Sequence, residues 1–305
     1  MGFRVSVVVP VFNRARLINR CLESILDNPR EDLEVLAIDD GSEDGSLEVM
    51  TEYEKRYPDT IRVLMHPGHE NRGVSESRNL GILASTGDYI SFLDSDDTML
   101  PGRFAYALRI LDRFPDIEGV YEAGEILLED GGQTIFPACR AEIPFDLLDK
   151  QECEPPWLIQ VAGITVRRTL FQMCGLFDSR MWVGEDIHMW LRMLMVGRLV
   201  PGTMQKPVFR HYRHAGNTAG FDAPQVELST IASVYKWACK RPVPPTRLEF
   251  LERTYMSLFC FYLTQARAER LGLMREFSLL CRALVHFPRF LLTRQYLGNL
   301  YGLLH

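Results

Sequence analysis

Residues 87–97 of the chain read GDYISFLDSDD. The first part is a short apolar run of β-forming residues, typical of a strand that is buried on both faces of a sheet. The second part places three carboxylates within four positions, at Asp94, Asp96 and Asp97. Like charges this close repel one another unless a cation lies between them, and Mg²⁺ or Mn²⁺ prefers carboxylate oxygens as ligands. The alternative is a solvated acidic turn in which Asp96 or Asp97 caps a helix that Pro101 helps to start.

Strands and helices alternate along the first hundred residues. β-Branched or apolar runs predict the strands, and apolar residues at helical spacing predict the helices between them. This alternation predicts an α/β fold, with a mostly parallel sheet, right-handed crossovers and helices on both faces. The predicted strands are residues 5–9, 33–38, 61–65 and 88–93, and the predicted helices are residues 15–27, 45–57 and 75–85.

The pattern is weaker in the rest of the chain. The interpretation divides the chain into a catalytic domain over residues 1–220 and a helical extension over residues 221–305, broken at the proline-rich residues 241–245. Before that boundary we expect helices at 104–114, 168–173 and 187–196, sheet character at 119–128 and 163–166, loops at 131–156, and a last strand at 206–212.

The composition is that of a soluble globular protein, with 47% hydrophobic and 24% charged residues in a chain of 305. No window approaches the roughly 18 apolar residues of a membrane span, and the first residues lack the pattern of a signal peptide. The seven cysteines are scattered and form no C-x-x-C pair, which favours reduced thiols. We therefore expect a cytoplasmic protein, with a peripheral position at the inner face of the membrane as the alternative.

The net charge of −6 is unevenly distributed. Nine Arg and four Glu follow residue 240, giving +5, so residues 1–240 carry −11. An acidic catalytic part argues against nucleic acid as a partner. Residues 277–305 are apolar with three Arg and no acid, a composition that suits an anionic membrane surface. Pro288 and apolar residues on most faces favour packing on the catalytic domain or a homodimer interface instead.

Polar clusters follow three of the predicted strands, with PVFN at 10–13, DDGS at 39–42 and DSDD at 94–97. The carboxyl ends of parallel strands meet at one edge of a sheet, where ligands bind, so we expect these clusters to lie together. The sequence has no G-x-x-x-x-G-K-[ST] loop, which excludes a P-loop. The turn after the first strand is not G-x-G-x-x-G, which argues against a dinucleotide fold.

Two charged clusters offer contacts to a nucleotide. Of Asp39 and Asp40, we expect one, together with Ser42 or Asp44, to cap the helix from Gly45 and the other to accept from a base N–H or a ribose hydroxyl. Arg72 and Arg78 in the next loop carry guanidinium forks that suit phosphate, and a surface ion pair is the alternative for each.

Acidic and imidazole groups recur later in the chain. Glu185 and Asp186 open the helix predicted at 187–196, where acids are favourable through the helix dipole. A carboxylate on a rigid helix start also suits a general base. His214 is either a polar loop residue or a ligand for metal or phosphate.

Taken in order, these motifs resemble the family 2 glycosyltransferases of the GT-A fold over residues 3–218. The resemblance implies transfer of a sugar, with inversion, from a nucleotide-diphosphate sugar such as a UDP-sugar to a glycan or lipid-linked acceptor in polysaccharide or glycolipid assembly. It also implies dependence on Mn²⁺ or Mg²⁺. The motifs are VSVVVPVFN at 5–13, DDGSEDG at 39–45, NRGVSESRNLG at 71–81, ASTGDYISFLDSDD at 84–97, ED at 185–186 and YRH at 212–214.

The same resemblance implies roles for individual residues. Asp186, beside Glu185, would be the catalytic base. Asp94 and Asp96 would form the D-x-D metal pair, with Asp96 as the direct ligand. The residues implied in binding the nucleotide sugar are Pro10, Val11, Asn13, Asp40, Arg72, Arg78, Asp94, Ser95 and His214.

Two other functions remain open at this point. A sugar-phosphate nucleotidyltransferase would need a Gly-rich loop with a Lys after the first strand, and PVFN at 10–13 is not such a loop. A non-catalytic nucleotide-sugar binder would not need the acidic residues Asp94, Asp96 and Asp186 together with His214. Residues 131–160 show no motif of the family, which leaves the acceptor open.

Overall fold

The structure, a computed structural model, describes residues 4–28, 32–128, 132–136, 159–213 and 224–268. The chain divides into two compact units, Met1–Thr218 and Ala219–His305. This division falls two residues before the boundary that we predicted from the sequence.

The elements of the first unit alternate as expected from the sequence. In chain order the strands are β1 (Val5–Val11), β2 (Leu33–Asp39), β3 (Ile61–Met65), β4 (Tyr89–Phe92), β5 (Thr98–Met99), β6 (Gly119–Tyr121), β7 (Gly124–Leu128), β8 (Gln133–Phe136), β9 (Ile164–Arg167), β10 (Leu199–Pro201) and β11 (Phe209–Arg213). The helices are α1 (Ile18–Leu26), α2 (Ser46–Arg56), α3 (Val74–Ala84), α4 (Ala105–Arg113), α5 (Leu170–Cys174) and α6 (Glu185–Val196), with short 3-10 turns at Pro67–His69 and Val161–Gly163.

The main sheet has seven strands in the order β10-β6-β9-β4-β1-β2-β3. Strand β1 pairs in parallel with β2 on one side and with β4 on the other. Strand β9 is antiparallel to both of its neighbours. The prediction of a mostly parallel sheet is confirmed, and the sequence of β1 explains its central place, because every residue from Val5 to Val11 is buried.

A second sheet of four strands has the order β5-β11-β7-β8. It includes β8, which lies where we expected only loops at 131–156, and that expectation is wrong for residues 133–136. Strand β8 pairs antiparallel with β7. The sequence signal was the DGG at residues 130–132, which is typical of a hairpin connection between two short strands. Residues 137–156 lie outside the described part of the chain.

Helix α3 approaches the main sheet closely because of Gly81. A Cβ atom at this position would collide with the side chain of Val8 on β1, so only glycine allows this distance between helix and sheet. The close approach matters for the site, because Arg78 and Asn79 lie one turn earlier on the same helix.

A fully buried ion pair joins the middle of the main sheet to the segment before α4. Arg103 and Glu122 are both 0% exposed at their side chains, and Arg103 Nη1 donates to Glu122 Oε2 at 2.9 Å. The remaining guanidinium nitrogens donate to the Ala162 carbonyl at 2.9 Å, to the Ile164 carbonyl at 3.0 Å and to Ser91 Oγ at 3.1 Å. Burial raises the pKa of Glu122 to about 7 and lowers the pKa of Arg103.

The described part of the second unit is helical. Helix α7 (Pro224–Ala238) and helix α8 (Pro245–Ala268) are joined across their contact by Tyr235, whose hydroxyl donates to Glu252 Oε1 at 2.7 Å. The break that we predicted at 241–245 lies between them. Within the described residues, none of the helices combines the length and the apolar character that crossing a membrane requires. The basic segment 277–305 lies outside the described residues.

Candidate functional site

The loops that follow β1 and β2 are held together by hydrogen bonds. The backbone N–H of Asn13 donates to Ser42 Oγ at 3.0 Å, and the N–H of Glu43 donates to Asn13 Oδ1 at 2.9 Å. Asn13 has φ +52°, a left-handed conformation that Asn tolerates better than most residues. Pro10 and Val11 are buried within β1, so the exposed positions beyond its end are Phe12 and Asn13.

Phe12 was not singled out in the sequence, although it is 44% exposed at the end of β1. An exposed aromatic ring beside polar loops has a face on which a planar ligand can stack. The available signal was its place in the run PVFN, between a buried strand and a polar residue.

Asp39 and Asp40 organise the loops after β2 and β3. Asp39 Oδ2 accepts from the N–H groups of Gly41 and Ser42, each at 3.1 Å, and lies 2.7 Å from His69 Nε2. Asp40 accepts from the N–H of Arg72 at 2.7 Å and from the N–H of Gly73 at 2.9 Å.

The expectation that Asp39 or Asp40 caps α2 is wrong. The N-cap position is Gly45, and no side chain caps it. Asp44 contacts the first turn instead, accepting from the N–H of Ser46 at 3.0 Å. Asp40 is tied to the loop before α3 because that loop presents two backbone donors to it, and binding of a nucleoside by Asp40 stays a prediction.

The acidic end of β4 is surrounded by cationic side chains of the protein itself. Asp94 Oδ1 lies 2.9 Å from Arg78 Nη2, and Asp96 Oδ2 lies 3.6 Å from Arg14 Nε. These two arginines offset the repulsion between the carboxylates. The alternative that Asp96 or Asp97 caps the next helix is wrong, because α4 starts at Ala105 with no side-chain cap.

Asp97 points to the second sheet. Its carboxylate lies 3.0 Å from His211 Nδ1 and accepts from the N–H of Tyr212 at 3.1 Å. Burial raises the pKa of Asp97 to about 6, and His211 moderates that rise. Sequence reasoning proposed His214 and missed His211, three residues earlier, whose only signal was its place in the predicted last strand. His214 lies outside the described residues.

Arg20 on α1 also contacts the acidic end of β4. Its Nη2 donates to the carbonyl of Asp96 at 2.8 Å, and its guanidinium carbon lies 3.6 Å from the ring centroid of Tyr212. Ser95, between the two D-x-D carboxylates, is buried, with 6% exposure. The acidic end of β4 is therefore fixed from α1 and from the second sheet.

Arg78 does not face solvent as a phosphate clamp would. Its side chain is 3% exposed, with Nη1 at 2.9 Å from Glu185 Oε1 and Nη2 at 2.9 Å from Asp94 Oδ1. Burial lowers the pKa of Arg78, but Asp94 and Glu185 outweigh burial and hold the pKa above its ordinary value. A buried guanidinium needs anionic partners, and here its fork is taken by two carboxylates. Arg72, by contrast, is exposed and pairs with Glu70 at 3.1 Å.

Helix α6 begins at Glu185, and its N-cap Gly184 has φ +75°, which favours glycine. Neither acid caps the helix. The Glu185 side chain contacts Arg78, while Asp186 Oδ1 accepts from the N–H of Ile187 at 2.7 Å. Burial raises the pKa of Asp186 to about 6, and the neighbouring charge of Glu185 adds to the rise. A carboxylate with this pKa suits a general base near neutral pH.

Asp94 and Asp96 fit, by their chemistry, a divalent ion that takes two protein carboxylates and fills its shell with phosphate and water oxygens. The Asp94 side chain keeps 34% of its surface exposed, so it is open on the side away from Arg78. Across the residues that the structure describes, no three His, Cys, Asp or Glu side chains are arranged to hold a metal ion by themselves.

Comparison with known proteins finds a family model for part of the chain. The model of glycosyl transferase family 2 matches residues 6–153. An uncharacterised glycosyltransferase of Nostoc sp. is 28% identical over 188 residues, which cover 59% of this chain and 55% of that protein. A poly(ribitol-phosphate) beta-glucosyltransferase of Bacillus spizizenii is 38% identical over 96 residues, which cover 31% of this chain and 15% of that protein. The chain thus spans about half the length of the first relative and much less of the second.

Solved structures share the fold. TarS of S. aureus in complex with UDP-GlcNAc superposes with a TM-score of 0.69 at 15% identity, covering 92% of this chain and 79% of that chain. A mannosyltransferase of Pyrobaculum calidifontis in complex with GDP-Man and Mn²⁺ superposes with a TM-score of 0.58 at 19% identity, covering 97% of this chain and 82% of that chain. Residues 6–153 therefore match the model of glycosyl transferase family 2, and the chain has the GT-A fold of these glycosyltransferase structures.

Proposed function

We propose that the protein is an inverting glycosyltransferase that moves a sugar from a nucleotide-diphosphate sugar to an acceptor hydroxyl. The observation that carries the proposal is the double ion pair of Arg78, which contacts Asp94 with one nitrogen and Glu185 with the other, each at 2.9 Å. The acidic end of β4 and the start of α6 are therefore one guanidinium group apart. A donor phosphate at the first and an acceptor hydroxyl at the second would be within reaction distance.

Asp186 is the base in this proposal. An acceptor hydroxyl is a weak nucleophile near neutral pH, and a carboxylate that accepts its proton in the transition state assists attack on the anomeric carbon. One displacement by this hydroxyl inverts the anomeric centre. The raised pKa of Asp186, about 6, leaves the carboxylate ionised near pH 7 and still basic enough to take a proton.

Asp94 and Asp96 would hold the divalent cation, Mn²⁺ or Mg²⁺, that the D-x-D pattern implies. When bound, such an ion offsets the negative charge that develops on the departing nucleoside diphosphate. The Mn²⁺ in the complex of the Pyrobaculum mannosyltransferase supports this assignment by analogy. Arg72 is an exposed cation in the loop that Asp40 holds and is our candidate for a further phosphate contact.

A UDP-sugar is the proposed donor, and the complex of TarS with UDP-GlcNAc supports it. In this proposal Asn13 and Asp40 lie beside the nucleoside, with Phe12 as an exposed ring at the same edge. The acceptor would be a glycan or a lipid-linked sugar in polysaccharide or glycolipid assembly, in the cytoplasm or at the inner face of the membrane. The Bacillus spizizenii relative, a poly(ribitol-phosphate) glucosyltransferase, supports a polymer as acceptor.

A thermal-shift screen of UDP, GDP and CDP, each with and without Mn²⁺, tests the donor site. Ligand at a hundredfold excess over its dissociation constant stabilises the folded state by about 2.7 kcal/mol. We expect one nucleotide to stabilise the protein with Mn²⁺, and Asp96→Asn to abolish the Mn²⁺-dependent part. Asp59→Asn, an exposed carboxylate in the turn before β3, is the matched control and should respond as the unmodified protein does.

Turnover separates the proposal from its two alternatives. A glycosyltransferase releases UDP from a UDP-sugar. The release is slow when water receives the sugar and faster when an acceptor receives it. A non-catalytic binder would show the thermal shift without UDP release. A nucleotidyltransferase would instead release pyrophosphate from UTP and a sugar 1-phosphate, and that result would replace the proposal.

A further inference from the structure

An apolar turn, Met181-Trp182-Val183, precedes helix α6, and we call it the Trp182 turn. The Trp182 side chain is 79% exposed, more than any other large apolar side chain in the described residues, and Val183 beside it is 36% exposed. Trp190, eight residues later, is 0% exposed. Two neighbouring apolar side chains left in water at the edge of a candidate site mark a binding surface more often than a lone exposed residue does.

Both ends of the segment that carries the Trp182 turn are fixed to α3. At its start, the Asn79 side chain donates to the carbonyl of Phe177 at 3.0 Å and accepts from its N–H at 2.8 Å. The Phe177 ring packs against Phe92 of β4, with 5.6 Å between the ring centroids. At its end, Arg78 holds Glu185. Neighbouring residues of one helix thus fix the two ends of the segment.

The inside of the segment is ordered as well. The Asp178 carboxylate accepts from Arg180, at 3.1 Å from its backbone N–H and 2.7 Å from its Nη2. The N–H of Met181 donates to the carbonyl of Asp178 at 3.0 Å. Trp182 is therefore presented to solvent by a closed turn, and presentation on a fixed backbone reduces the entropy cost of binding.

Trp182 lies close along the chain to Asp186, the proposed base. It precedes Asp186 by four residues, so the two Cα atoms are within about 14 Å of each other. The nucleoside side of the site, at Asn13 and Asp40, is formed by different loops, those after β1 and β2. A ligand that touches both Trp182 and Asp186 has the dimensions of one or two sugar rings.

We propose that Trp182 forms an acceptor subsite, on which a pyranose ring of the acceptor stacks so that its hydroxyl reaches Asp186. This inference rests on the proposed glycosyltransferase function. The apolar C–H face of a pyranose matches the face of an indole ring, while its hydroxyl groups stay at the edge, where water or polar side chains meet them. Val183 extends the apolar surface beside the ring.

A membrane surface is the competing occupant, and the charges argue against it. Anionic lipid attracts clusters of Lys and Arg next to the inserted aromatic residues. The cation within the segment is Arg180, and its guanidinium is paired with Asp178. The next acids along the chain, Glu185 and Asp186, would be repelled by an anionic surface.

Three variants of the full chain test the subsite: Trp182→Ala, Trp182→Phe, and the control Leu83→Ala, which removes another highly exposed apolar side chain, from α3. The probes are the methyl β-glycosides of glucose, galactose, mannose and N-acetylglucosamine. The first readout is the tryptophan emission during titration with each glycoside. We expect a blue shift in the unmodified protein and in Leu83→Ala, and none in the two variants that lack Trp182.

Kinetics then locate the effect. With the glycoside that gives the largest shift, Trp182→Ala should raise the acceptor KM about tenfold or more, as expected for an exposed aromatic contact. The donor KM, the rate of UDP-sugar hydrolysis and kcat at saturating acceptor should not change. Trp182→Phe should keep most of the affinity, because a ring face remains.

The outcomes distinguish failure of the proposed acceptor subsite from failure of the proposed glycosyltransferase function. If the unmodified protein neither binds UDP with Mn²⁺ nor hydrolyses a UDP-sugar, the proposed function fails. If hydrolysis is normal but no glycoside changes the emission, or Trp182→Ala leaves the acceptor KM unchanged, the subsite alone is refuted. Loss of co-sedimentation with phosphatidylglycerol vesicles in Trp182→Ala, with an unchanged acceptor KM, would assign the ring to a membrane contact.

Discussion

Two buried arginines in the first unit bind carboxylates in opposite ways. Arg103 and Glu122 form a closed cluster in which both side chains are 0% exposed and backbone carbonyls take the remaining donors. Arg78 is almost as buried, but its partners are open to the site, with Asp94 34% and Glu185 13% exposed. Arg78 Nε also has no hydrogen-bond acceptor among the described residues.

The difference distinguishes a cluster that stabilises the fold from one whose carboxylates remain available to a ligand. Each guanidinium nitrogen of Arg103 has an acceptor within the core, so the group is not available to a ligand. The carboxylates of the Arg78 cluster keep surface for a ligand while one guanidinium holds them apart. A buried polar group that is left incompletely satisfied is a feature of functional sites more than of cores.

The largest effect that we expect is on catalysis, at Asp186. Asp186→Asn removes the proton acceptor and should lower the transfer rate about 10²–10⁴-fold. Binding of UDP with Mn²⁺ should be retained, which a thermal-shift titration measures. Normal turnover of this variant would show that another group is the base.

The next effect is on stability, at the closed cluster. Arg103→Met leaves the Glu122 carboxylate buried without its cation and should reduce the free energy of unfolding by about 3–5 kcal/mol. Urea unfolding measures the loss. The double variant Arg103→Met with Glu122→Leu should recover most of it, because a buried ion pair can be replaced by apolar side chains at little cost.

The same change at Arg78 should spare stability relative to Arg103→Met, because water reaches Asp94 and Glu185 when the guanidinium is removed. If Arg78→Met is as destabilising as Arg103→Met, the contrast between the two clusters is wrong. Urea unfolding of both variants under one set of conditions makes the comparison direct.

The pH dependence of the rate tests the roles of Glu185 and Arg78 in setting the pKa of Asp186. Asp186 must be ionised to act as a base, so kcat should fall about tenfold per pH unit below its pKa of about 6. Glu185→Gln removes a neighbouring negative charge that raises this pKa, and should move the acidic limb to lower pH. Arg78→Met removes a cation that lowers it, and should move the limb to higher pH. Shifts in the same direction would contradict the assigned network.

The free energy of unfolding should change with pH in the opposite direction to kcat. The pKa values of Glu122 and Asp186 are raised on folding, to about 7 and about 6. Their contribution to stability is full below their unfolded pKa values, near pH 4, and is lost as pH rises through 6 to 7. Glu122→Gln should flatten this loss in urea unfolding measured between pH 5 and pH 8 without moving the acidic limb of kcat.

The smallest effect should come from an arginine at the surface. Arg20→Ala removes a cation–π contact with Tyr212 and a hydrogen bond to the Asp96 carbonyl. We expect a loss of about 0.5–1 kcal/mol in the free energy of unfolding, in line with exposed contacts of this kind. A larger loss, approaching that of Arg103→Met, would mean that Arg20 is part of the structural core.

Sequence reasoning predicted the alternation of the first hundred residues, because long apolar runs and helical spacing report burial directly. It also placed Asp94 and Asp96 at the end of a strand and Asp186 at the start of a helix. It did not predict that Arg78 joins them, because the partner of a lone Arg depends on which distant side chains the fold brings near. The short strands β5, β8 and β10 were missed because two to four residues are too few to show a periodic pattern.

The attachment of one segment to α3 at both of its ends has a consequence for how much sequence change the segment can accept. Asn79 and Arg78 fix Phe177 and Glu185, and Gly184 sets the backbone turn into α6, so the exposed positions between these anchors, Trp182 and Val183, are the ones least tied to the rest of the fold. Substitutions at these two positions therefore change the exposed surface before α6 while the contacts that hold both ends of the segment are kept.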